Sequence, residues 1–146
     1  MIEFTVETEI RRPPEDVFAY ATDPALLSTW QTNTVSAVRE DEGPMGVGSR
    51  LREVHAAPGG KKLESLVEVS VYEPPRAFSL AVIEGTPIHA ELTFEPTGAG
   101  TRLRFRGYGG LGGIARLAEP LLQRSLKRQF TQACENLKRE LEASPS

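Results

Sequence analysis

The sequence predicts an α+β domain with about seven antiparallel strands, two short helices after the first strand and a long closing helix. Three observations carry this. Residues 2–10 alternate strictly, with Ile2, Phe4, Val6, Thr8 and Ile10 on one face and mostly acids on the other. From Gln31 to Tyr108 the chain is nearly all strand-like runs, cut by short segments that each hold Gly or Pro. Over residues 114–142 apolar side chains recur at helical spacing.

The first helix lies in "RRPPEDVFAYATDP". Proline is tolerated at an early helical position, which needs no N–H partner, and Glu15 and Asp16 suit the positive end of the helix dipole. Val17, Phe18, Tyr20 and Ala21 give it an apolar face. "DPALLSTW" reads as a second short helix, capped by Asp23 with Pro24 at its first position. Strands follow at 32–39, 48–56, 61–73, 76–84, 87–95 and 101–108. Connections this short join antiparallel neighbours.

Leu126, Phe130, Ala133, Leu137 and Leu141 make one stripe on the closing helix. Ile114, Leu117, Ala118 and Leu121 make another, about half a turn out of phase at about 100° per residue. Pro120 cannot donate to the carbonyl of Arg116, so a kink or break there is expected, turning both stripes toward the sheet. The terminal "ASPS" reads as frayed. With no repeat and no linker, residues 1–146 are expected to form one domain.

Composition excludes several function classes. Charged residues are 25% of the chain and the net charge is -3, with no basic-aromatic interleaving, so nucleic acid is not an expected partner. Cys134 is the only cysteine, inside an amphipathic helical pattern, and is expected to be a buried, inert thiol. The N-terminus lacks the basic start and apolar core of a signal peptide, and no apolar run approaches a membrane span. A cytoplasmic protein without stable membrane insertion is expected.

"FRGYGGLGG" (105–113) contains G-x-G-x-x-G at Gly107, Gly109 and Gly112, the outline of a dinucleotide-binding turn. That motif needs a parallel β-α-β unit, and no strand remains after the helix that follows. The glycines are read instead as the turn from sheet to helix, with Gly109 and Gly110 as a soft gate beside any pocket under the helix. His55 and His89 lack metal-site spacing, and no serine lies in a G-x-S-x-G elbow, so neither metal nor cofactor is expected.

In "GSRLREVHAA" either Leu51, Glu53 and His55 share the inward face, or Arg50, Arg52 and Val54 do. The preferred reading places this strand near an edge or cavity mouth, with Glu53 and His55 both partly wet. If the Leu51 face points inward, they become a candidate acid/base pair. Trp30 is read first as a packing plug, and on a cavity rim also as a ligand contact.

The entry "VETEIRRPPEDVFAYATDPALLSTW", the turn Tyr72-Glu73-Pro74-Pro75-Arg76 and the closing "LKRELE" resemble the START-like (Bet v 1-like) superfamily. Within it the chain is most similar to the SRPBCC group of polyketide cyclases, dehydrases and lipid-transport proteins, over residues 2–142. The resemblance implies a helix-grip fold, a curved sheet around the long helix, with an apolar cavity between them. That cavity is expected to draw on Leu51, Leu63, Ser65, Val67, Leu80, Val82, Phe105, Leu117, Leu121, Leu126 and Phe130. Trp30 would sit at its rim. Thr32 and Ser65, with Glu53 and His55, would supply its polar contacts.

The leading function is then binding or carriage of a small hydrophobic molecule: a lipid, a polyketide-like aromatic or an isoprenoid. The rivals are a cyclase or dehydratase using Glu53 and His55, and a protein-interaction module. A monomer or a homodimer paired through an exposed sheet edge is compatible with the sequence.

Overall fold

The computed structural model describes residues 1–143. Residues 144–146, most of the segment read as frayed, lie outside the described residues. Strand β1 (Ile2–Ile10) leads to helices α1 (Pro14–Ala21) and α2 (Leu27–Trp30), with a 3-10 turn at Pro24–Leu26 between them. Strands β2 (Thr34–Arg39), β3 (Arg50–Ala57), β4 (Lys61–Glu73), β5 (Ala77–Glu84), β6 (Ile88–Pro96) and β7 (Thr101–Gly109) follow. A 3-10 segment, Gly113–Ala118, leads into α3 (Glu119–Ala143).

The seven strands form one sheet in the order β1-β7-β6-β5-β4-β3-β2. Every pairing is antiparallel. The alternation seen in the sequence sets which face is dry. Ile2, Phe4 and Val6 line up with Gly109, Gly107 and Phe105, and β6 continues the same face with Ala90, Leu92 and Phe94. On the outer face Glu3, Glu7 and Glu9 pair with Arg106, Arg104 and Arg102. Exposed pairs of this kind add little stability. They do penalise a slip of register, which would send one strand's charges to the dry face.

The helices start where local chemistry allows. Pro14 opens α1, with Glu15 and Asp16 in its first turn. Asp23 accepts from the backbone N–H of Ala25 at 3.0 Å and caps the 3-10 turn. Helix α3 runs along β1 and approaches it far more closely than it does β3, β4 or β5. On its other side it is tied to the α2 region: Gln129 Nε2 donates to Asn33 Oδ1 at 2.6 Å, and Asn136 Nδ2 to the Trp30 carbonyl at 3.2 Å. The sheet thus grips α3 directly at the β1 edge and through α2 near the β2 edge, a helix-grip fold.

The break expected at Pro120 occurs one residue earlier. The 3-10 segment ends at Ala118 and α3 begins at Glu119, so Pro120 is its second residue and its missing N–H costs nothing. The expected consequence does not follow. Ile114, Leu117 and Leu121 are 87%, 84% and 72% exposed. The helix turns Leu122, not Leu121, toward the sheet, in line with Leu126, Phe130, Ala133, Leu137 and Leu141.

The glycines of "FRGYGGLGG" serve packing. A Cβ on Gly107 would lie 2.3 Å from the Phe4 ring, and one on Gly109 would lie 1.9 Å from the Pro87 carbonyl oxygen. Gly109 pairs with both Ile2 and Ile88 and so belongs to β7. The soft joint begins only after it, at Gly110.

Candidate functional site

The space between α3 and the sheet divides into two halves. The lower half, toward the C-terminal end of α3, is filled. Phe4, Phe105 and Phe130 form a near-parallel stack, with centroid separations of 5.6 Å for Phe4–Phe130 and 4.5 Å for Phe105–Phe130. Below them Phe18 meets Tyr72, Phe78 and Phe94 edge-on, a favourable arrangement for ring quadrupoles. Cys134 is sealed here, and burial, with Glu135 nearby, pushes its thiol up to about 12, so it is inert as the sequence suggested.

The upper half is open. Leu80, Val82, Ile88 and Ala90 point to the dry face of the sheet yet remain only half-buried, and Leu63, at the end of the same face, is 53% exposed. On the helix side Leu122, Leu126 and Phe130 are likewise half-buried. The cause is geometric: α3 follows β1, so the curved sheet carries β3–β5 away from it. The result is an incompletely covered apolar face, a candidate groove, at the end that holds the β3–β4 hairpin, the β5–β6 turn and the start of α3.

The polar groups of the groove come from β3 and its neighbours. The register puts Leu51, Glu53 and His55 on the inward face, opposite Val67, Ser65 and Leu63. This resolves the alternative left open by the sequence. Strand β3 is second from the edge, and Glu53 is more deeply buried than the preferred reading held, at 7% exposure. His55 Nε2 lies 3.2 Å from Glu53 Oε1. On its other side His55 Nδ1 lies 3.4 Å from the Thr34 hydroxyl, which is 3.1 Å from Gln31 Oε1. The imidazole is therefore held from both sides.

The other candidates divide clearly. Ser65, Leu80, Val82, Leu126 and Phe130 border the groove. Leu51, Val67 and Phe105 are sealed core residues. Trp30, 1% exposed, is a plug rather than a rim contact. Thr32 sits at the turn closed by the Thr34 N–H to the Gln31 carbonyl and faces solvent, so it supplies no cavity contact. Leu117 and Leu121 do not face the sheet as expected and, with Ile114, form an exposed apolar edge at the start of α3.

Sequence reasoning passed over Ile88, Ala90 and Leu122. The first two were visible in the alternation of β6. Leu122 was visible too, four residues before Leu126 on the same helical stripe. It also passed over Glu119, whose carboxylate accepts from the N-terminal amine and from the Leu111 N–H, each at 2.8 Å. These partners hold its carboxyl below the ordinary value. Glu119 thereby pins the glycine-rich joint beside the groove. His89 is fixed on the outer face, accepting from the Val82 N–H at 3.0 Å. Among the described residues no cluster of His, Cys, Asp or Glu is arranged to hold a metal. No helix there is long and apolar enough to cross a membrane.

A separate surface depression of about 610 Å³ lies at the opposite end, between α1, Arg39 and the Pro74-Pro75 turn. The Arg39 guanidinium is already engaged by Asp41 and the Gly43 carbonyl.

A helix-gripping sheet, an apolar groove and one inward carboxylate are the features to set against known proteins. The family model described as "Polyketide cyclase / dehydrase and lipid transport" matches residues 1–142. The chain belongs to this family. Among solved structures, TTHA0849 from Thermus thermophilus superposes with a TM-score of 0.82 at 24% identity, covering 99% of each chain. MLL2253 from Mesorhizobium loti gives 0.75 at 24% identity, again with 99% of each chain covered. The di-domain ARO/CYC protein BexL, of the BE-7585A biosynthetic pathway, gives 0.77 at 19% identity, with 98% of this chain aligned to 50% of that one. At these identities the likenesses speak for the fold. No curated protein matches in sequence. Membership of the family supports a ligand-binding or cyclase-type role.

Proposed function

We propose that the protein binds or carries a small hydrophobic molecule in the open upper half of the helix–sheet space. The observation that carries this reading is the uncovered dry face. Leu80, Val82, Ile88 and Ala90 are apolar and inward, yet half accessible, beside a core that is otherwise closed. Covering such a surface with a ligand is favourable by about 25 cal/mol per Å² before the entropy of association is subtracted. The exposed Ile114, Leu117 and Leu121 extend the apolar surface to the entrance.

The test is uptake of the apolar fluorophore N-phenyl-1-naphthylamine. Val82→Phe adds bulk on the incompletely covered face, beside its cross-strand partner Val67, so uptake should weaken about ten-fold, with thermal unfolding measured alongside to show that the variant is folded. Unchanged uptake would remove the groove as the site.

A second reading is a cyclase or dehydratase, favoured by the 3.2 Å contact of Glu53 with His55. A positioned acid/base group contributes typically about 10²–10⁴-fold to a rate. Under this reading Glu53→Gln abolishes turnover of a polyketide-like substrate and leaves binding nearly intact. Retained turnover removes the enzyme reading and leaves the carrier reading standing.

A further inference from the structure

Two acidic side chains are buried among the described residues, Glu53 and Glu119. They differ in one respect. Glu119 has a donor on each oxygen: the N-terminal amine on Oε1 and the Leu111 N–H on Oε2. Glu53 has a single contact, from Oε1 to His55 Nε2 at 3.2 Å. Its Oε2 has no protein partner, and it is not among the sealed polar atoms without partners, which are Trp30 Nε1 and Arg39 Nε. Oε2 is therefore an acceptor on a buried, inward-facing carboxylate that no protein donor engages and that is not fully sealed.

From this we infer that Glu53 Oε2 is a receptor for a ligand hydroxyl. The groove should prefer an apolar molecule carrying an alcohol or phenol O–H over the same framework without one. The inference rests on the groove being the binding site. Its warrant is the cost of leaving a buried acceptor unpaired. A carboxylate oxygen is acceptor-only, and an apolar ligand that displaced its water without replacing the hydrogen bond would lose the desolvation energy of that group. A ligand hydroxyl returns the bond as a charge-assisted one.

The surroundings favour a neutral donor. Glu53 faces Ala37 on β2 and Ser65 on β4, with Leu51 two residues before it. Its single charged or titratable partner is His55. An ammonium group would have to shed its water against Leu80, Val82 and Ala90, a far larger penalty than a hydroxyl pays. The inward carboxylate is thus a built feature of β3, placed by the same register that turns Leu51 inward.

The test compares 2-naphthol with 2-methylnaphthalene, two ligands of nearly equal shape that differ in the hydroxyl. Binding is measured by titration fluorescence on the wild-type chain, Glu53→Leu and Glu53→Gln. The preference for 2-naphthol should be about ten-fold greater in the wild type than in Glu53→Leu, the effect of one hydrogen bond to a charged group. Glu53→Gln, which keeps the shape and loses the charge, should give an intermediate preference and serves as the reading if the leucine variant does not fold. A preference that stays within two-fold across the wild type and either variant overturns the hydroxyl inference and leaves the groove intact. Failure of both ligands to bind the wild type overturns the groove as well.

Discussion

The two halves of the helix–sheet space use the same sheet and helix to opposite ends. In the lower half Phe4, Phe18, Phe78, Phe94 and Phe105 are all at most 4% exposed. In the upper half the corresponding inward positions are Leu80, Val82, Ala90 and Leu126, smaller or less closely faced, and each remains half-buried. The difference teaches where stability and binding are kept apart. Large rings close the end where α1, α3 and the sheet converge. Shorter side chains leave space where the sheet curves away.

The comparison breaks most visibly by truncation. Phe105→Ala removes the most tightly stacked partner of Phe130 and should destabilise by about 3–5 kcal/mol in denaturant unfolding. Val82→Ala, in the open half, should cost about 1 kcal/mol or less, because little apolar area is lost from a half-exposed site. Equal losses would mean the upper half is packed after all. A smaller effect comes from overpacking. Gly107→Ala forces a methyl into the Phe4 ring and should cost about 1–3 kcal/mol, whereas Gly112→Ala meets open space and should stay within about 0.5 kcal/mol.

Dynamics at the entrance sharpen the comparison further. Gly110→Ala together with Gly112→Ala stiffens the joint while leaving the Gly109 packing contact untouched. Ligand exchange measured by stopped-flow should slow more than affinity changes, and equal exchange rates would refute a gate. The smallest effect is on pH. Glu119 has its carboxyl lowered by the N-terminal amine and the Leu111 N–H, so the contact stabilises the fold above the ordinary value of 4.5. That stabilisation is lost as pH falls through the lowered value. The Leu111 amide resonance should shift as pH drops below 4.5, and Glu119→Gln should produce the shifted position at neutral pH.

Much of the fold was legible because each element carries its own signal. Alternation fixed the strands, and Gly and Pro fixed the turns. Pro14, Asp23 and Pro24 placed the helix starts. The candidate site was legible in part. Ser65, Leu80, Val82, Leu126 and Phe130 were singled out because they lie on periodic dry faces, and each is half-buried. Leu117 and Leu121 were misplaced because a 3-10 segment advances differently from an α-helix, so phase cannot be carried across Ala118. Leu51, Val67 and Phe105 have the same pattern as groove residues, and periodicity does not distinguish a sealed position from an open one.

By itself the sequence determined the class of fold, the order of its elements and which residues of each strand share a face. These follow from local rules of spacing, capping and steric freedom. Tertiary structure alone decided which shared face of β3 points inward, and with it the meeting of Glu53 and His55. It decided that Gly107 and Gly109 serve Phe4 and Pro87, and that the dry face stays incompletely covered over β3–β5. Those outcomes depend on how far a curved sheet departs from a helix anchored at its edge, and that distance is set by contacts between residues about a hundred positions apart in the chain.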